Sequence, residues 1–169
     1  MNVKLYGAAG QKKLAEYPTR IMQAQKLQDD IPKIEELNLD ETGNSHERLK
    51  RFYKELCAYE VAMRAVASCY RSIIQEATED CAKLENLAMN APPGTKEERK
   101  FSLTTSIVQT RQQIVFAEQQ CTSLEEQVLN IEATKAALKM AITQNELANL
   151  APLCAQLKQR DTEIRNSPK

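Results

Sequence analysis

The sequence predicts an all-α protein: a long antiparallel helical hairpin, coiled-coil-like, with a short N-terminal helical segment and a kinked C-terminal extension. Glycine and proline are scarce, four and six in 169 residues, and aromatics make up only 5%. Alanine, leucine, glutamate, glutamine and lysine recur instead, which favours long helices over sheet. Residues 45–90 and 96–151 contain neither glycine nor proline, and both carry apolar residues at steps of three and four.

Residues 1–43 form an N-terminal segment with one or two short helices. Pro18 and Pro32 each stand where a first helical turn starts. From Pro18 onward Ile21, Ala24, Leu27 and Ile31 follow helical spacing, and Ile34 and Leu37 add a further turn or two. The stretch before Pro18, holding Gly7 and Gly10, is expected to be loose, with Leu5, Tyr6 and Leu14 available to pack on a partner.

Residues 44–91 form the first long heptad helix, opened by Gly43 as breaker, Asn44 as cap and Glu47 three residues on. One seam series runs Leu49, Leu56, Met63, Tyr70, Ala77 and Leu84. The other runs Phe52, Tyr59, Val66, Ile73, Asp80 and Leu87. The adjoining positions Tyr53, Ala67, Ile74, Cys81 and Ala88 widen the stripe beyond a two-stranded seam, so this helix expects more than one neighbour.

Residues 92–95 make the turn. Pro92, Pro93 and Gly94 end the first helix, and Thr95 with Glu98 has the spacing of a capping box. The second long helix spans 96–151, with Leu103, Ile107, Thr110, Ile114, Ala117, Cys121, Leu124, Val128 and Ile131 on its seam, then Lys135, Leu138, Ile142 and Asn145. A second apolar row, Phe101, Val108, Val115 and Leu129, runs beside that seam and reads as a partner-binding face or as the bed of a third helix. Near the end the register slips to Leu150, Leu153, Leu157 and Ile164, and Pro152 falls within the slip. A kink is expected there, followed by a short frayed helix and polar tail over 152–169.

Asp80 interrupts the first seam and Lys135 the second, and both read as register or specificity devices. A polar group in a seam disfavours every alignment that leaves it without a partner. With the turn near Pro92 and Pro93, facing positions sum to about 185. That puts Asp80 near Thr104 and Thr105, whose hydroxyls can donate to it, and Lys135 near Lys50 and Glu47, the latter able to pair it. The alternative is an Asp80 that faces water. If Asp80 selects register, Asp80→Leu raises the melting temperature and broadens the oligomer distribution.

Chemistry-bearing patterns are sparse. Lys plus Arg and Asp plus Glu balance at 23 each, so no overall field draws the chain to nucleic acid or to an acidic membrane. The five cysteines stand singly, which reads as buried thiols in a reducing compartment rather than a disulfide framework. Cys57, Cys69 and Cys81 recur every twelve residues and so rotate about 120° from one to the next, facing different ways instead of sharing a metal. His46, the single histidine, lies in a first helical turn and reads as an ordinary polar residue. "YGAAGQKK" lacks the spacing of a phosphate loop, and Tyr53, Tyr59 and Tyr70 read as core rather than as a base-stacking platform.

No signal-like or membrane-spanning segment is evident, so the expected location is the cytoplasm, with the nucleus as alternative. The expected function is a non-enzymatic coiled-coil subunit, needing no cofactor or metal. Its partners are other helical subunits in a hetero-oligomer, or a second copy, with no nucleic acid and no membrane insertion. The alternative is a self-contained three- or four-helix bundle that binds a peptide or adaptor.

Overall fold

The computed structural model describes residues 8–32, 45–91, 94–144 and 150–166. The described residues form five helices: α1 (Ala8–Leu14), α2 (Glu16–Asp29), α3 (Ser45–Met89), α4 (Glu97–Gln144) and α5 (Leu150–Asn166). The fold is all-α, and α3 and α4 pack closely as a hairpin. Asn44, Gly43, Pro92, Pro93, Asn145, Ile34, Leu37, Leu5, Tyr6 and Gly7 lie outside the described residues. At the turn Gly94 has φ +91°, a left-handed conformation in which any side chain would be strained.

Within residues 8–32 the N-terminal segment is helical from Ala8, ahead of the Pro18 start expected from the sequence. Gly10 is buried within α1, and α2 begins two residues before Pro18. Pro18 explains the break at Ala15 between α1 and α2. It has no N–H to give Leu14, and its ring crowds that residue's carbonyl four positions upstream. Pro152 sits in the first turn of α5, which starts at Leu150, and residues 145–149 lie outside the described residues. The helix that follows is no short frayed end, because it runs to Asn166 and buries Cys154, Leu157 and Asp161.

The chain packs as two compact units. Unit 1 holds α1, most of α2, α3 from Ser68 and α4 up to Cys121. Its core joins Leu14, Tyr17, Ile21 and Ala24 to Tyr70, Ile73, Ala77 and Leu84 of α3 and to Leu103, Ile107, Ile114 and Ala117 of α4. Unit 2 holds α3 up to Ala67, α4 from Thr122, and α5. Its core comprises Leu49, Phe52, Leu56, Tyr59, Met63 and Val66 of α3, Leu124, Val128, Ile131 and Leu138 of α4, and Cys154 and Leu157 of α5. The first seam is thus buried from Leu49 to Leu84 as the heptad requires.

Candidate functional site

In unit 1, Asp80 is buried, at 8% exposure, but its partners are not the threonines of α4. Tyr17 Oη donates to Asp80 Oδ2, and Lys13 Nζ lies 2.9 Å from Asp80 Oδ1. Both oxygens therefore hold the N-terminal helices, which also give Arg20 to Glu76. Thr104 and Thr105 are exposed, and the Thr105 hydroxyl donates to the carbonyl of Phe101 in its own helix. Burial, the hydrogen bond to Asp80 and the negative charges of Asp80 and Glu76 raise the Tyr17 pKa far above the ordinary phenol value. The Arg20 guanidinium stands 5.5 Å from the Tyr17 ring centroid.

The sequence marks Asp80 as anomalous but not its partners, because a helix that opens at Pro18 has Ile21 as the first residue of its stripe. Extended backward, the same spacing runs through Tyr17 and Leu14. Two open grooves border the N-terminal helices. One, of about 330 Å³, lies between α2 and α3 and includes Leu27 and Cys69; the other, of about 180 Å³, includes Pro18, Ser106 and Gln113.

In unit 2, Lys135 Nζ reaches Glu60 Oε2 at 3.1 Å, not Glu47, and stands 5.6 Å from the Tyr53 ring centroid. Arg64 pairs with Glu132 and also approaches Glu60 at 3.6 Å. As the α3 number rises from Glu60 to Arg64, the α4 number falls from Lys135 to Glu132, so the two helices are antiparallel within this unit. Burial alone would raise the Glu60 pKa, but the hydrogen bond and charge of Lys135, with the charge of Arg64, bring it below the ordinary value. The same bond raises Lys135 against its own burial.

These pairs, and Arg111 with Glu85 in unit 1, lie about ten residues further along α4 than the expected facing positions. Long side chains lean toward the N-terminus of their own helix. In an antiparallel pair that lean raises both numbers at which the tips meet, by about one residue on each helix, and the rest of the offset is an axial stagger of α4 along α3 within each unit.

The outer row of α4 is solvent-exposed: Phe101 75%, Val108 50%, Val115 51% and Leu129 64%. In unit 1 the N-terminal helices do not cover it. Val108 is two residues from both Ser106 and Thr110, about 200° around α4, and Ser106 and Thr110 border the groove beside those helices. The row therefore lies on the opposite flank of α4, where Arg111 donates to both oxygens of Glu85 at 2.7 Å. Burial raises the Cys81 thiol pKa, with the Arg111 charge opposing it.

Among the described residues no group of three His, Cys, Asp or Glu side chains could hold a metal ion, and no helix is long and apolar enough to cross a membrane. The five cysteines are free, and His46 is half-buried in the first turn of α3. No protein-family model matches the chain, and no curated protein or solved structure matches it either.

Proposed function

We propose that the protein is a non-enzymatic helical subunit that docks by helix packing into a larger protein assembly. The supporting observation is the outer row of α4: in unit 1, Phe101, Val108 and Val115 recur at heptad spacing, at least half exposed, on the flank away from the N-terminal helices. Apolar side chains at this interval are what a partner helix reads, and exposing them on one face is unfavourable unless something covers them. Cytoskeletal, spindle or kinetochore and vesicle-tethering assemblies use subunits of this kind, working in the cytoplasm or nucleus with other helical chains as partners.

The test is the double substitution Val108→Glu and Val115→Glu. Exposed positions of this sort change stability by about 0.5 kcal/mol or less, so helicity and melting temperature should hold while the complex captured from cell extract is lost. A complex that survives the double substitution sinks this reading. A second reading is favoured by the burial of Leu14, Tyr17, Ile21 and Ala24, which closes unit 1 around its own N-terminal helices. On that reading the chain is a self-contained bundle binding a peptide or adaptor, and the same double substitution leaves binding intact.

A further inference from the structure

The N-terminal arm, α1 with α2, sits on unit 1 through two contrasting kinds of contact. Its apolar side is a narrow stripe with spacings of three, four and three: Leu14, Tyr17, Ile21 and Ala24. The surface bordering it is mixed, with Ser68 and Ser72 beside Cys69 and Ile73 of α3 on one side and Ser106, Gln109 and Thr110 of α4 on the other. Gln113 Oε1 is shielded there without a hydrogen-bond partner among the described residues. The open grooves along both sides of the arm show that its fit is incomplete. Leu27, which lines the larger groove, remains 52% exposed.

Specificity in this seat centres on Asp80, beside the Arg20–Glu76 pair. Asp80 stands in the seam of α3 and spends both carboxylate oxygens on the arm, one accepting from the Tyr17 hydroxyl and one paired with the Lys13 ammonium. A buried carboxylate is costly without such partners, so the groove demands an occupant with a donor at this point and discriminates against a purely aliphatic helix.

We propose that this groove is a helix-docking site whose resident occupant is the arm, and that an amphipathic helix of a partner protein takes the arm's place. The arm itself is the template for that partner: apolar residues at spacings of three, four and three, with a hydroxyl or ammonium donor facing Asp80. A tethered arm competes at a high effective concentration. The partner overcomes it by filling the grooves that the arm leaves open. The site lies on the flank of α4 opposite the outer row, so it stands or falls separately from docking through Val108 and Val115.

The experiment uses the full chain carrying Leu14→Asp and Ile21→Asp, which charge the stripe and drive the arm off while leaving Asp80 and the bed intact. The probe is a fluorescent peptide with the natural sequence of residues 8–29, read by anisotropy. The peptide should bind the arm-released chain at least about tenfold more tightly than the natural chain, whose groove is filled. Adding Asp80→Asn to the released chain, or Tyr17→Phe to the peptide, should each weaken binding by about tenfold or more. Equal binding to both chains, absence of binding to the released chain, or indifference to Asp80→Asn overturns the proposal. Hydrogen exchange on the natural chain gives an independent reading should the charged variant unfold. Amides of residues 8–29 should open at lower free energy than those of α3 and α4 in unit 1, and simultaneous opening of all three overturns the proposal.

Discussion

Asp80 shows how much one residue's partners decide. The seam pattern alone marks a polar group at a core position, and on that information Asp80→Leu should stabilise by removing an unfavourable burial. The contacts reverse the sign. With leucine there, the Tyr17 hydroxyl and the Lys13 ammonium both lose their acceptor, and a hydroxyl left buried costs about 1–3 kcal/mol. Asp80→Leu should therefore lower the melting temperature, and a rise would mean that Tyr17 and Lys13 rehydrate freely. Lys135 offers a parallel case with a different balance. Its side chain and that of Glu60 are 18% and 14% exposed, so the pair is mostly shielded. Lys135→Met leaves Glu60 with Arg64 at 3.6 Å and should cost about 1–2 kcal/mol in urea unfolding, whereas Lys135→Met with Glu60→Gln should recover part of that loss. Strict additivity of the two substitutions would show that the carboxylate and the amine do not interact in solution. Lys135 could be picked out by its place in a seam, but Glu60 could not, because the axial stagger of α4 along α3 in this unit shifts which numbers meet.

At the scale of elements, what could be read from sequence was what apolar spacing encodes. The first seam is buried from Leu49 to Leu84, and the second from Leu103 to Leu138 around Lys135. What could not be read was carried by polar residues and prolines. Gln127, Asn130 and Asp161 are all buried at 8% exposure or less, and no hydrophobicity pattern announces them. Asp161 in particular hides the inward face of α5, whose buried positions Cys154, Leu157 and Asp161 keep helical spacing while the apolar series through Leu153 and Ile164 lies half-exposed. Proline crowds the carbonyl four residues upstream, so α1 ends at Leu14 and the break falls at Ala15 rather than at Pro18; α5, by contrast, includes Pro152 in its first turn. The consequence for α5 can be measured. Leu157 is 1% exposed, so Leu157→Ala should cost about 2–4 kcal/mol in a denaturant titration, while truncating a leucine on a frayed tail would cost almost nothing. An effect below about 0.5 kcal/mol would mean that α5 is not docked in solution.

For the molecule as a whole, charge balance hides two opposite dependences on pH. Lys plus Arg equals Asp plus Glu, and net charge alone suggests indifference near neutrality. The individual groups say otherwise. On the acid side, the bonds from Arg111 and Lys135 hold Glu85 and Glu60 below their ordinary range against burial. A carboxylate with a depressed folded-state pKa contributes stability above its unfolded value, about 4.3, and loses that contribution as pH falls through the folded value. Glu60 should dominate this limb, because its side chain is 14% exposed whereas that of Glu85 is 45% exposed and screened by solvent. On the alkaline side burial raises the Cys81 and Cys154 thiols, and burial together with Asp80 raises Tyr17. A raised acid contributes fully below its unfolded value and loses that contribution as pH climbs toward the folded one, so decline should begin near pH 8.5 for the thiols and steepen near pH 10 for the phenol. Melting temperature followed from pH 3 to 11 should thus show a plateau between about pH 5 and 8 with a fall on either side. Tyr17→Phe isolates the alkaline term: it removes the ionising group while keeping the ring in place, so its melting temperature should be lower than that of the natural chain at pH 7 and the gap should narrow between pH 10 and 11. A gap that stays constant to pH 11 would mean that Tyr17 ionises alike in the folded and unfolded chain, and that its hydroxyl is not held against Asp80.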